Sequence, residues 1–459
     1  MDWLPTLSEG TGPVYRRIVE ALSNDIVSGR LKRGQQLPTH RALAQALSID
    51  LTTVTRAYGE ARRRGLLDAR VGQGTFVSET TTRATVDIPH PVKIDLSMNV
   101  PPQPIEANLD TRIAHGFASI QKEAGFSAFL NYQRPGGGDE DRDTAANWLR
   151  VRVPKAQADR LVIYPGSQAA IFNVLLSLTS PGDVVLTEAL TYPGIKAAAG
   201  KLGVRLVGVT MDEQGILPDA LGSACKRYKP KAVYLVPTMH NPTTVTLSPS
   251  RRKAVAEIIR KAGAILIEDD AYGSLDPSVS PIANLIPERT YLAVSLSKCI
   301  APALRISFLL TPDVGAEQML RSNLQATTQM APPLMLALVM HWFRSGVADQ
   351  IVTAIRNEAI GRQQLAARLL KGRSFAAYPK GHHLWLPLPR HWNRGDFVAH
   401  VLREGLAVVA SEAFAVDQAA APHAVRVSLG AARNRTELST ALHLLAAALK
   451  SSTAAMQVV

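Results

Sequence analysis

Tyr291-Leu292-Ala293-Val294-Ser295-Leu296-Ser297-Lys298-Cys299-Ile300-Ala301-Pro302-Ala303-Leu304-Arg305 joins an apolar run to one lysine set among small hydroxyl residues, with an arginine further on. The run Tyr291–Ser295 reads as a strand, and the polar cluster falls just past its end. A lysine in a dry pocket gives up its proton more readily and can form a Schiff base with an aldehyde. Arg305, Ser295 and Ser297 suit a phosphate, the arginine through paired charge-assisted bonds. An aldehyde that carries a phosphate is pyridoxal phosphate, whose ring nitrogen needs an acidic partner. Taken alone, such a lysine and arginine are ordinary solvated residues. The rest of the chain decides.

Outward from this stretch, strand and helix alternate. Leu161–Tyr164, Val184–Leu186, Ala232–Val236 and Ala264–Ile267 read as strands, and Ser167–Leu178 and Ser250–Ala262 as helices. This pattern predicts an open α/β sheet, mainly parallel and flanked by helices, with its sites at strand ends. Notable polar clusters do follow strands: Pro165-Gly166-Ser167-Gln168, His240-Asn241-Pro242-Thr243 and Glu268-Asp269-Asp270-Ala271-Tyr272.

The 459 residues are 46% apolar, which suggests two or three domains with ample core. The formal charge is +13, and residues 1–78 hold eleven Lys+Arg against seven Asp+Glu. Most of the basic surplus therefore lies outside that segment, and charge alone does not say which part meets a polyanion. Cys225 and Cys299 are too few for a disulfide framework and read as reduced, packed thiols, although Cys299 beside Lys298 leaves a reactive thiol open. The opening residues lack the basic-then-apolar order of a signal peptide. No apolar run approaches the roughly 20 residues that span a bilayer. The expected location is the cytoplasm, without membrane attachment, and no metal site is expected.

Residues 1–78 read differently. Val14, Ile18, Val19, Leu22 and Ile26 have helical spacing, Thr39 N-caps a short helix to Leu47, and Thr52–Arg64 is a third helix. Gly65–Val77 reads as two short strands around Gly72-Gln73-Gly74. Three helices and a ribbon make a winged helix-turn-helix whose third helix enters the major groove. Ser78 to about Lys93 is Thr- and Pro-rich without apolar period, and reads as a linker over 79–93. Four blocks carry a resemblance to the GntR family of bacterial transcription regulators: Leu37-Pro38-Thr39-His40-Arg41-Ala42-Leu43-Ala44, Thr53-Val54-Thr55-Arg56-Ala57-Tyr58, Gly65-Leu66-Leu67 and Gly72-Gln73-Gly74-Thr75-Phe76-Val77. The resemblance implies that Arg41, Thr52, Thr53, Thr55 and Arg56 face DNA and that Gln73 sits at a wing tip. Short hydroxyls at a helix N-terminus suit phosphates, and arginine can also read guanine.

Residues 94–459 resemble the fold-type I aminotransferases. The match runs in order through Tyr132 with Gly136-Gly137-Gly138, the clusters at 165–168, 240–243 and 268–272, Tyr192, the Lys298 stretch and Val425-Arg426-Val427-Ser428. It implies a large domain and a small C-terminal subdomain from about 335. By this resemblance Lys298 holds the aldehyde and shuttles a proton. Asp269, chosen over Glu268 and Asp270 by its spacing to Tyr272, pairs with the ring nitrogen. Asn241 and Tyr272 bond the ring hydroxyl, and Tyr192 stacks on the ring. Ser167, Gln168, Ser295, Ser297 and Arg305 cup the phosphate, and Tyr132 reaches the phosphate of a second subunit in a homodimer. Arg426 takes the carboxylate of an amino acid. The two halves together resemble the MocR subfamily. That implies a regulator that binds a double-stranded operator and whose body senses pyridoxal phosphate, an amine or an amino acid through a Schiff base at Lys298. A working aminotransferase with an accessory DNA-binding domain uses the same residues and stays open as the alternative.

Overall fold

The computed structural model describes residues 3–5, 14–27, 30–32, 34–63, 66–70, 74–77 and 92–451. Gln73, at the expected wing tip, and nearly all of the expected linker 79–93 lie outside these residues. The chain divides into two compact units, Met1–Pro89 and His90–Val459.

The first unit packs α1 (Val14–Val27), α2 (His40–Leu47) and α3 (Leu51–Arg63) around Ile18, Leu22, Leu43, Val54, Ala57 and Tyr58. Thr39 caps α2 by accepting the Ala42 N–H at 3.3 Å. Helix α3 begins one residue before the expected Thr52, because the Asp50 carboxylate takes the Thr52 N–H at 2.7 Å. Strands β1 (Leu67–Arg70) and β2 (Gly74–Val77) form an antiparallel ribbon with Leu67 opposite Val77. Helices and ribbon make the winged helix-turn-helix.

The second unit opens with β3 (Ile94–Asp95), α4 (Leu109–Glu123), α5 (Asp139–Leu149), β4 (Leu161–Tyr164), α6 (Ser167–Leu178), β5 (Val184–Glu188), α7 (Pro193–Leu202) and β6 (Arg205–Val209). A small hairpin, β7 (Met211–Asp212) and β8 (Gly215–Ile216), precedes α8 (Pro218–Tyr228), β9 (Ala232–Leu235), α9 (Pro249–Ala262), β10 (Ile265–Asp270), β11 (Thr290–Ser295) and β12 (Ser307–Leu310). The large sheet has the order β4-β12-β11-β10-β9-β5-β6. Only β12 is antiparallel, to both of its neighbours, so β4 runs the same way as the other strands. Residues of β4, β9, β11 and β12 are buried throughout, as expected of a parallel sheet covered on both faces.

Helices α10 (Val314–Thr327), α11 (Pro333–Arg344) and α12 (Val347–Leu369) lead to a second sheet. Its strands β13 (Ala376–Ala377) and β14 (His383–Pro387) come before α13 (Arg394–Arg403). After them come β15 (Leu406–Ala407), β16 (Val409–Ala410), β17 (Ala424–Ser428) and α14 (Arg435–Ala448). The order is β13-β14-β17-β16. Helix α11 packs into the large-sheet core through Leu336, Leu338 and Val339. The small-lobe core starts later, near Leu365 and Ala366. It also takes in Ile94 and Leu96, because β3 pairs in parallel with β15.

Candidate functional site

Strands β4, β5, β9, β10 and β11 end side by side, so the residues that follow them gather at one edge. Three carboxylates stand at the end of β10, and packing separates their uses. Glu268 accepts the N–H groups of Ile282 at 3.0 Å and Ala283 at 2.8 Å. Asp270 pairs with the buried Arg152. Glu268 thus holds a loop through both oxygens, whereas Asp270 gives Oδ2 to Arg152 and keeps a buried Oδ1 without a partner. Asp269 accepts the Tyr234 hydroxyl at 2.7 Å through Oδ2, while its buried Oδ1 has no partner. Leaving a buried acceptor unmet is costly, and this one, within the field of the Lys298 charge, is open to a donor from outside the chain. Burial pushes the Asp269 pKa up to about 6, against the opposing pull of the Tyr234 hydrogen bond and the Lys298 charge.

Lys298 lies just past β11, and its Nζ donates to the Asn99 carbonyl. Burial, helped by the Arg426 charge and opposed by Asp269, lowers its pKa to about 8. Tyr272 is buried, and its hydroxyl oxygen lies 2.7 Å from Asn99 Nδ2. Asn99 Nδ2 is also 3.1 Å from His383 Nδ1, and His383 Nε2 is 3.1 Å from the His240 carbonyl. Burial holds the His383 pKa well below its ordinary value, so the ring is neutral. A carbonyl only accepts, so Nε2 carries the proton and Nδ1 accepts from Asn99. The second Asn99 N–H then donates to the Tyr272 oxygen, which leaves the Tyr272 proton for an outside acceptor. Sequence reasoning missed Asn99 and His383. Asn99 stands 199 positions before Lys298, in a loop without a motif, and His383 reads as one more strand residue.

At the other end of the site Gly166 precedes Ser167 and Gln168 at the start of α6. Its φ is +98°, and a Cβ there would lie 2.6 Å from Arg305 Nη2. Glycine thus permits the approach of Arg305, which donates to the Pro165 carbonyl at 2.9 Å. A guanidinium beside a helix N-terminus is a site for an anion. Ser297 lies in the adjoining turn, whose shape Ser295 sets by accepting the Ser297 N–H at 3.1 Å. Gln168 donates to the Gly194 carbonyl at 2.9 Å and keeps a buried Oε1 without a partner. Burial and the Asp269 charge push the Tyr192 hydroxyl up, while Arg305 and Arg426 oppose them, so the four groups share one field.

Arg426 on β17 is buried and donates to Asn241 Oδ1 at 2.9 Å and to the Ser97 carbonyl. It lies 4.9 Å over the Phe414 ring, and its Nε has no partner. The structure thus brings Lys298, Asp269, Tyr272, Tyr192 and Arg426 together, with Asn241, Gln168 and Arg305 around them. Tyr132 is 82% exposed and enters none of these contacts. In the first unit Arg41, Thr52, Thr55 and Arg56 are exposed and Thr53 is half-buried. The Arg56 guanidinium lies 4.2 Å over the Tyr15 ring.

Residues 91–445 match the family described as aminotransferase class I and II, and residues 14–77 match the gntR family of bacterial regulatory proteins. The chain belongs to the GntR-type regulators that carry an aminotransferase body. This is the MocR arrangement. An uncharacterized HTH-type transcriptional regulator of Bacillus subtilis, YdeF, is 30% identical over 97% of this regulator and 96% of its own length. The vitamin B6 salvage pathway transcriptional repressor PtsJ of Salmonella typhimurium is 29% identical over 94% of this chain and 97% of its own. In fold, the body is similar to the kynurenine aminotransferase of Pyrococcus horikoshii, with a TM-score of 0.72 and 23% identity over 79% of this chain and 92% of that one. Pyridoxal phosphate is the cofactor of such a body, and the regulator's residues fit it. Asp269 Oδ1 offers the acceptor a ring nitrogen needs, Lys298 the amine, and Arg305 with the start of α6 the anion site. Among the described residues no helix is long and apolar enough to cross a membrane.

Proposed function

We propose that the body of this regulator holds pyridoxal phosphate at Lys298 and responds to a small amine or amino acid, and that residues 1–78 carry the response to an operator. When bound, the cofactor supplies an aldehyde for an amine to condense with and a ring that draws off electron density. Asp269 keeps a proton on the ring nitrogen through its uncommitted Oδ1. Lys298, with its pKa lowered to about 8, presents a far larger neutral fraction near physiological pH than an ordinary lysine. Tyr272 donates its proton outward because Asn99 occupies its oxygen, and Asn241, which accepts from Arg426 through Oδ1, keeps its amide N–H groups for the same ring hydroxyl. Tyr192 covers the ring. Ser167, Gln168, Ser295, Ser297 and Arg305 hold or frame the phosphate. Arg426 receives the effector's carboxylate through its buried Nε and a terminal nitrogen.

The observation that carries this reading is the buried Asp269 oxygen without a partner, beside a lysine of depressed pKa. Arg41, Thr52, Thr53, Thr55, Arg56 and Gln73 make the operator contacts. The protein works in the cytoplasm as a homodimer, with Tyr132 of each subunit serving the other's phosphate. The complete set of cofactor-facing residues also supports a working aminotransferase. The test is operator affinity with and without pyridoxal phosphate and a panel of amino acids, alongside keto-acid release. Affinity that responds to cofactor or amine, with little turnover, is expected. Rapid turnover without any specific operator would replace the regulator by the enzyme.

A further inference from the structure

The outward face of α3 is less polar than Arg56 and Arg62 suggest. Leu51, Thr52, Thr55, Arg56, Gly59 and Arg62 are exposed, while Val54, Ala57, Tyr58 and Ala61 are buried. Residues 51, 55, 59 and 62 therefore form one stripe along the helix. At its head Leu51 is 41% exposed on the first turn. The hydroxyls beside it are turned back on the chain. Thr55 Oγ1 donates to the Leu51 carbonyl at 2.9 Å, and the Thr52 hydroxyl is tied to Asp50. With their donors committed, Leu51 and the Thr55 methyl make an apolar spot four residues apart, next to the cations Arg56 and Arg62. Further along, Gly59 sits in the helix interior, where glycine is a poor helix former. A Cβ built there meets no atom within 4 Å. Among the described residues nothing requires a glycine at this position, which leaves its space open to something outside.

We propose that α3 reads thymine through its C5-methyl group, with Leu51 and the Thr55 methyl as the contact, and that Gly59 lets the DNA strand come close to the helix. The inference rests on the operator-binding reading above. The chemistry is general: among the base edges of the major groove only thymine presents a methyl group, and apolar side chains recognise it. The N-terminal residues of a recognition helix are the ones that meet base edges, and Leu51 is the first of them. The flanking arginines supply the phosphate attraction that brings an otherwise greasy spot to the duplex.

The test uses the full-length chain and duplexes it selects from a random pool. Each thymine is replaced in turn by deoxyuridine, which removes the methyl and nothing else. At one or more positions per half-site the loss should be roughly three- to five-fold, the value of one buried methyl. Leu51→Ala should narrow the difference between the thymine and uracil duplexes at that position, whereas Arg41→Ala should bind both more weakly and keep their ratio. Gly59→Ala should raise the unfolding midpoint of the first unit by roughly 4–8 °C and still weaken the selected duplex about ten-fold. Wild-type protein indifferent to every methyl, or Leu51→Ala with unchanged discrimination, overturns the thymine contact. Gly59→Ala that is more stable and binds as well as wild type overturns the close approach. Failure to select any duplex overturns this inference together with the operator reading, whereas methyl-blind selection sinks this inference alone.

Discussion

The two units present their functional groups in opposite ways. In the body, Lys298, Asp269 and Arg426 are withdrawn from water, and each has a pKa displaced by that burial. In the DNA-reading unit Arg41 and Arg56 stand exposed on helices. A buried charge is tolerated only with partners, so the body declares its site through what is left unpaired. An exposed charge costs little and declares nothing. The body can therefore be read from geometry, while the reader is legible chiefly through the pattern of its residues.

The sharpest way to break this contrast is Lys298→Ala. After borohydride treatment with pyridoxal phosphate, wild-type protein should carry the phosphopyridoxyl mass on Lys298, and the variant should lose it altogether. The same adduct on another lysine would overturn the assignment of the buried amine. Next in size is Asp270→Ala, which strands Arg152 as a buried charge. It should cost the body about 3–5 kcal/mol, seen by calorimetry as an early body transition with the first unit's transition unmoved. A reader that melts earlier as well would mean the units are not independent. Smaller is the effect of Arg41→Ala or Arg56→Ala. Each should weaken DNA binding about ten-fold and reduce the salt slope by about one, without change in cofactor capture.

The smallest effect is that of pH. Neutral Lys298 is the reactive form, so cofactor capture by cofactor-free protein should rise about five-fold from pH 7 to 8 and level off above, followed by stopped-flow absorbance. Because the folded pKa, about 8, is depressed below the ordinary lysine value, the unfolded chain binds more protons between the two. Stability from this group therefore grows with pH across that window and is lost as pH falls through it. A flat capture profile over pH 7–9 would remove the burial argument for this lysine.

The sequence made legible whatever is local. The Thr39 cap, the strand at Tyr291–Ser295 and the helix at Ser167–Leu178 depend on neighbours in the chain, and the structure has them. The selection of Asp269 from three adjacent carboxylates rested on spacing to Tyr272. The structure offers a physical ground for preferring it, since Glu268 accepts two backbone N–H groups and one oxygen of Asp270 is taken by Arg152, while Asp269 feels the Lys298 charge. What stayed hidden depends on distant chain coming together. Asn99 and His383 meet from positions 284 apart, and no periodicity announces such a pair. The start of the small lobe was equally obscure, because its core borrows Ile94 and Leu96 from the opening of the unit.

That borrowed opening also ties the small lobe to the site. The Lys93 and Ile94 N–H groups both bond the Gly405 carbonyl, at 2.9 and 3.0 Å, and Leu96 is tied on both sides, to Ala407 and Ser428. The opening of the body is thus bonded to the small lobe. A few residues further along the same strand of chain, the Asn99 carbonyl holds the Lys298 amine. The residue that holds the reactive amine thus lies five positions from Ile94, a strand partner of the small lobe.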